Sequence, residues 1–155
     1  MTLGKYMANL NFKIYFEESD NNDLKKLLSK IPKSHKNLVK DFKFTYTKNN
    51  TLNGDKKHIG VIYKDKIEIA APWNYSREFT TLHEIAHMVW AYKMSSKLKS
   101  EWKKISKKTL KDNKNINEKD PEELFCMAYA QYYAKNKITK FDHPEWEKFI
   151  KQLSN

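Results

Sequence analysis

Apolar and polar side chains follow a helical repeat through the middle of the chain. Neither proline nor glycine occurs from residue 76 to residue 92, so one uninterrupted helix is expected there. Ser76 is predicted as its N-cap, and Glu78 places a negative charge in the first turn, where it suits the helix dipole. The face that we expect to meet a core carries Phe79, Leu82, Ile85, Ala86, Val89 and Trp90.

Shorter patterns before this helix predict strands and two small helices. The strands are expected at residues 11–16, 42–47, 58–63 and 66–70. The last two strands should form a hairpin around Lys64 and Asp65. Residues 23–30 predict a helix that ends before Pro32, and a second helix is expected from about residue 33 to 40. Residues 49–57 contain Asn53-Gly54 and predict a turn or loop.

The second half of the chain is predicted to be helical. An amphipathic pattern covers residues 96–110. Asp120 and Pro121 mark a second start, as N-cap and first helical residue. A last helix begins near Pro144 and should bury Trp146, Phe149, Ile150 and Leu153. Residues 111–119 are polar and rich in asparagine, which fits either a lid over a nearby site or a plain connector.

These elements predict a single domain of the α+β class, with a small mixed sheet and a helical C-terminal half. A chain of 155 residues is normally one domain, and residues 1–8 are expected to be a flexible tail. No apolar run is long enough to span a membrane, and the first residues lack the apolar core of a secretory signal. Cys126 is the single cysteine, which excludes an internal disulfide. A cytoplasmic location is favoured, although secretion by another route stays open.

The formal net charge of +11 suggests an affinity for acidic partners. Only one of the 30 basic residues, Arg77, is an arginine. Arginine is the preferred bidentate donor to phosphate and guanine, so its near absence argues against specific nucleic-acid binding. We do not expect specific nucleic-acid binding, and attraction to an acidic partner is the inference that the charge favours.

The sharpest chemical signal lies within the long central helix, where the sequence reads H-E-x-x-H. His83 and His87 are four residues apart, so both can reach one ion from the same helical face. Glu84 lies at the edge of that face, where a carboxylate can act as general base on a water. The alternative to a metal site is that both histidines are ordinary polar residues of an amphipathic helix.

A zinc site that keeps a position open for water needs a third protein ligand. Glu122 and Glu123 occupy the first turn of the helix that Asp120 caps, and they are better placed than His143. The alternative for this segment is a capping box between Asp120 and Glu123. The remaining histidines, His35, His58 and His143, are interpreted as structural or surface residues.

Taken together, His83-Glu84-x-x-His87 and the later Glu123-Leu124-Phe125-x-x-Ala128-Tyr129 resemble the gluzincin metallopeptidases of the anthrax lethal factor type. The clostridial Pro-Pro endopeptidases belong to the same group. The resemblance covers roughly residues 22–134 and implies a zincin-like domain that hydrolyses peptide bonds in a peptide or protein substrate. It implies one Zn²⁺ ion, Glu84 as the base, and Glu123 rather than Glu122 as the ligand that joins His83 and His87.

Two positions depart from this family's pattern. Met127 stands where the family helix has a second glutamate, and Ile116 stands where a tyrosine supports the oxyanion. Loss of one such donor typically costs about 3–4 kcal/mol of transition-state stabilisation. A hydroxyl from elsewhere could replace it, and the candidates are Tyr75, Tyr92, Tyr129, Tyr132 and Tyr133.

Three other interpretations stay open. The motifs also resemble phage- or plasmid-type regulatory and antirestriction metalloproteins. The two departures would suit a catalytically weak, zinc-stabilised binding module. A SprT-like, DNA-associated protease is disfavoured, because such proteins use a third histidine shortly after the motif and none lies between His87 and His143. The sequence specifies neither the substrate nor the oligomeric state.

Overall fold

The computed structural model describes residues 24–47, 60–63, 66–70, 77–134 and 143–154. In chain order its elements are α1 (24–28), α2 (Lys33–Lys36), β1 (Lys43–Thr47), β2 (Gly60–Tyr63), β3 (Lys66–Ala70), α3 (Arg77–Lys93), α4 (Ser96–Asp112), α5 (Pro121–Tyr133) and α6 (Pro144–Gln152). Some predictions lie outside the described residues: the tail at 1–8, the strand at 11–16, the loop at 49–57, the turn at 64–65 and the Ser76 cap.

The described strands form one mixed sheet in the order β1-β3-β2. β3 is parallel to β1 and antiparallel to β2, so the expected hairpin pairing is found between Gly60–Tyr63 and Lys66–Ala70. Ile67 lies between Phe44 of β1 and Ile62 of β2, and all three side chains are buried. β2 and β1 are therefore the outer strands of the described sheet, and β3 supplies its centre.

α3 lies between the sheet and α5, and this position explains why it is buried nearly all round. Leu82, Ile85 and Val89 are fully buried, as the helical repeat predicts. The opposite side does not face water, however. Glu84 and His87 are buried as well, because α5 covers the face that carries them. The polar residues of α3 therefore meet a protein surface, and they need partners on that surface.

Aromatic side chains hold α5 in place from behind. The Trp102 ring of α4 packs against Phe125 of α5 and against Trp146 and Phe149 of α6, with ring centroids 5.2–5.8 Å apart. Its indole N–H donates a 2.7 Å hydrogen bond to the carbonyl oxygen of Pro121, the first residue of α5. The start of α5 is thereby fixed to the middle of α4.

Local signals set the ends of the C-terminal helices. Ser95 accepts a hydrogen bond from the backbone N–H of Leu98 and starts α4. Asp120 caps α5 with Pro121 in the first turn, as predicted, and α6 begins at Pro144.

Among the described residues no helix combines the length and the apolar character that crossing a membrane requires.

The second helix is shorter than predicted: α2 ends at Lys36 rather than near residue 40. From Leu38 onward the backbone N–H groups bond three residues back, as Leu38 does to His35 and Val39 does to Lys36. These tighter turns carry Val39 into the core, where it is 1% exposed. The regular helix therefore gives way to tighter turns at the point where Val39 enters the core.

His35 links α2 to the half of the molecule that carries the H-E-x-x-H helix. Its Nδ1 lies 2.9 Å from the hydroxyl of Tyr129 on α5, and both side chains are fully buried. Burial, assisted by the charge of Lys93, lowers the pKa of His35 to about 4. The imidazole is therefore neutral in the folded protein under ordinary conditions.

We predict that protonation of His35 destabilises the fold in acid. Between pH 4 and 6.5 the unfolded chain binds this proton more readily than the folded chain. The free energy of unfolding should therefore rise with pH across that window by up to about 3 kcal/mol and level off above it. Urea unfolding at a series of pH values, with a chelator present, would measure this free energy in the parent and in His35→Gln. The free energy of unfolding of His35→Gln should change less with pH than that of the parent. The same pH dependence of the free energy of unfolding in both proteins would contradict the role given to His35.

Candidate metal centre

His83 and His87 share one face of α3, a single helical turn apart. Their ring centroids are 5.3 Å apart and the rings are tilted by 72°. The His87 side chain is 5% exposed and that of His83 is 19% exposed, so the pair opens to solvent mainly on the side of His83. The four-residue spacing alone produces this arrangement, because side chains at i and i+4 lie above one another on a helix.

The first turn of α5 brings Glu123 to both histidines. Nε2 of His83 lies 2.9 Å from Oε2 of Glu123, and Nε2 of His87 lies 3.3 Å from Oε1. Two ligands that are each about 2.0–2.1 Å from a tetrahedral zinc ion lie about 3.3 Å from each other. The three side chains predicted as ligands are thus brought together with spacings that a zinc ion fits after small adjustments.

Glu122, the other acidic candidate, contacts the opposite nitrogen of His87. Nδ1 of His87 lies 2.6 Å from Oε2 of Glu122, so the ring donates its N–H there. This bond leaves Nε2 as the nitrogen that can bind an ion, and it fixes the orientation of the ring. The two glutamates therefore have different geometries: Glu123 faces both Nε2 atoms, and Glu122 supports His87 from behind.

The start of α5 does not form the capping box between Asp120 and Glu123 that the sequence offered as an alternative. Asp120 accepts from the backbone N–H of Glu122 at 2.9 Å, which is an ordinary N-cap bond. The N–H of Asp120 itself donates to Glu118, also at 2.9 Å. The carboxylate of Glu123 instead faces the two histidines, so Glu118 takes the place that a capping box would give to Glu123.

The charges in the centre are strongly coupled. Burial works to lower the pKa of His87, but the neighbouring Cys126, Glu122 and Glu123 outweigh burial and raise it. Burial likewise works to raise the pKa of Glu123, and the two neighbouring histidines overcome it and lower the pKa. The electrostatics therefore favour positive charge beside Glu123, and a divalent cation would supply it.

Glu84 lies next to His83 and is almost fully buried, at 3% exposure. Burial raises its pKa above the ordinary value; the nearby carboxylate of Glu123 adds to this effect, and both histidines oppose it. Its Oε2 atom is buried without a hydrogen-bond partner among the described residues. A carboxylate in such surroundings is a stronger proton acceptor than an exposed one, as a general base requires.

One side chain in the centre was missed by the sequence reasoning. Cys126 is fully buried on α5, three residues after Glu123, and one potential ligand atom each from His83, His87 and Cys126 lie within 4.8 Å of one another. Burial raises the pKa of the Cys126 thiol to about 12, while the neighbouring His87 acts in the opposite direction. The available signal was its spacing, because i and i+3 share a helical face.

The other histidines lie apart from this centre. His35 pairs with Tyr129, and His143 precedes α6 with its ring packed against Trp146 at a centroid distance of 4.8 Å. Both positions fit the structural role that the sequence predicts. His58 lies outside the described residues.

The position that lacks the family's tyrosine is part of the core. Ile116 is 4% exposed, so its side chain packs inward rather than lining an open site. The Tyr129 hydroxyl contacts His35, and the Tyr133 hydroxyl contacts Ser154. Tyr92 is 68% exposed near the end of α3. The Tyr132 ring packs against that of Tyr133, with centroids 4.8 Å apart. None of these four hydroxyl groups has a contact with the two histidines or Glu123 in the hydrogen bonds described above, and Tyr75 lies outside the described residues.

No known family model, curated protein or solved structure matches this chain. Its function is accordingly inferred from the donors, their spacing and their burial.

We predict that Glu123 and Glu122 differ in what they contribute to metal binding. Glu123→Ala should lose most of the bound zinc, because it removes an oxygen donor that faces both histidines. Glu122→Ala should keep zinc with about 10–100-fold weaker affinity, the usual cost of losing a partner behind a ligand. Competition with a chromophoric chelator measures both affinities. Glu118→Ala is the matched control at the same helix start, and equal zinc occupancy in Glu123→Ala and the parent would remove Glu123 from the site.

Proposed function

We propose that this protein is a metallopeptidase with one zinc ion, of the gluzincin type, built on a zincin-like α+β domain. The observation that carries the proposal is the approach of both Nε2 atoms to one carboxylate, at 2.9 Å and 3.3 Å, with Glu84 beside them. The proposed substrate is a peptide or protein. A cytoplasmic site of action is part of the proposal, since a single cysteine suits a reducing compartment.

The donors suit zinc better than a hard cation. His83 and His87 supply two imidazole nitrogens and Glu123 supplies an oxygen, a set that binds borderline metals, whereas magnesium and calcium prefer oxygen alone. The buried Nε2 of His87 makes no hydrogen bond among the described residues, although Glu123 lies near it, so a donor is available. When bound, zinc supplies Lewis acidity, which lowers the pKa of water from about 15.7 to about 7 and polarises a carbonyl oxygen.

Glu84 carries the proton in the proposed reaction. Its carboxylate removes a proton from the attacking water, and burial favours the protonated carboxyl that results. The same carboxyl then gives the proton to the leaving amine, so that Glu84 returns to its starting state. Glu122 keeps the His87 ring oriented throughout by accepting a hydrogen bond from its Nδ1–H group.

The outer strand β2 offers a place for extended substrate. β2 has one neighbour, β3, among the described strands, and α3 packs against both of them. An exposed strand edge can bind a peptide through main-chain hydrogen bonds. We therefore propose that substrate aligns along Gly60–Tyr63, beside the helix that carries the two histidines.

A second candidate function is a zinc-stabilised binding module with little or no hydrolytic activity. The specific observation in its favour is the burial of Ile116, because a core side chain occupies the position where the resembled family has its hydroxyl donor. Such a module would bind one equivalent of zinc and would cleave no peptide.

We predict that Glu84→Gln retains zinc and loses hydrolysis. The amide cannot accept the proton, and general acid–base catalysis is typically worth about 10²–10⁴-fold in rate. Cleavage of a proline-containing peptide library and of an unfolded protein measures activity, and elemental analysis measures zinc. Glu78→Gln is the control, since Glu78 lies on the same helix but pairs with Lys30. Equal rates for Glu84→Gln and the parent would refute the assigned base, whereas a zinc-loaded parent that cleaves nothing would favour the binding module.

A further inference from the structure

Cys126 lies close to the two histidines of the candidate metal centre. The thiol is fully buried, and its sulfur is within 4.8 Å of a nitrogen of each histidine. Ligands at about 2.0–2.1 Å for nitrogen and about 2.3 Å for sulfur lie about 3.6 Å apart around a tetrahedral zinc ion. The separation of the sulfur from these nitrogens exceeds that spacing by at most about 1 Å.

A second observation concerns two buried polar atoms of the same centre. Nε2 of His87 and Oε2 of Glu84 are both buried and make no hydrogen bond among the described residues. Buried polar atoms without partners are rare in folded proteins, and a bound ion can supply the interaction that such atoms lack. The thiol therefore lies beside buried donor atoms that a positive charge would stabilise.

We propose that Cys126 is a ligand of the same zinc ion and that its thiolate competes with water for the fourth coordination position. This inference rests on the proposed zinc function and adds a regulatory state to it. On ligation the thiol releases its proton to solvent, a sulfur–zinc bond forms, and one water leaves the ion. The closed state has four protein donors: His83, His87, Glu123 and Cys126.

The closed state has no position for an attacking water. Four-coordinate zinc with only protein ligands is typical of structural sites, whereas catalytic sites keep one position open. Hydrolysis would then require Cys126 to leave the ion. Removal of Cys126 should therefore raise activity, which is the opposite of what removal of a histidine or of Glu123 should do.

Cobalt(II) substitution tests the ligand directly in the full chain. The parent with one equivalent of cobalt should show a thiolate-to-cobalt charge-transfer band in the near ultraviolet. Cys126→Ala should bind one equivalent without that band. The assignment is unambiguous because the chain has a single cysteine. Met127→Leu, which removes the neighbouring sulfur, is the matched control and should retain the band.

X-ray absorption of the zinc-loaded parent provides a test that needs no variant. We expect one sulfur scatterer at about 2.3 Å besides the nitrogen and oxygen ligands. In the cleavage assay, Cys126→Ala should act several-fold faster than the parent. A sulfur signal without hydrolysis in either protein would support Cys126 as a ligand and contradict the peptidase.

Metal binding without any sulfur signal would overturn the role of Cys126 and leave the three-ligand site intact. A parent that binds neither zinc nor cobalt would overturn both proposals. The outcomes thus separate the thiol ligand from the enzymatic function.

Discussion

The contact between the middle of α3 and the first turn of α5 is the interaction on which the rest of the molecule depends. It places two histidines against two glutamates inside an otherwise apolar helix pair. Removal of one partner would leave the charge of the other less well compensated in this partly buried contact. The surrounding apolar burial, with Leu82, Ile85 and Leu124 all at 0% exposure, keeps the two helices close enough to satisfy these polar groups.

The remaining elements fix the positions of α3 and α5 relative to each other. The sheet packs against α3, and the Trp102 indole of α4 holds the first residue of α5 by a hydrogen bond. Asp120 adds a cap bond at the same helix end. Because ligand positions must hold within fractions of an ångström for catalysis, a helix start fixed by both a cap and a buried tryptophan is a suitable platform for Glu122 and Glu123.

The sequence predicted the features that depend on local spacing. The His83–His87 pair follows from helix geometry, the start of α5 follows from Asp120-Pro121, and the β2–β3 pairing follows from a short hairpin. Features that depend on how distant helices rotate against each other were not predictable. Burial of the polar side of α3, the bond of Glu122 to His87, and the position of Cys126 all arise from packing between α3 and α5. The gluzincin resemblance and the zincin-like fold stay predictions.

His83 and Glu123 are separated by 40 residues, with the whole of α4 between them. In the unfolded chain the two histidines stay near each other, but the carboxylate is no longer held beside them. An ion held by this set therefore binds the native state selectively. By mass action it stabilises that state by about 4 kcal/mol when its free concentration is about 1,000 times the dissociation constant. Zinc supply would then govern how long each molecule survives cellular proteolysis, independently of any chemistry it performs.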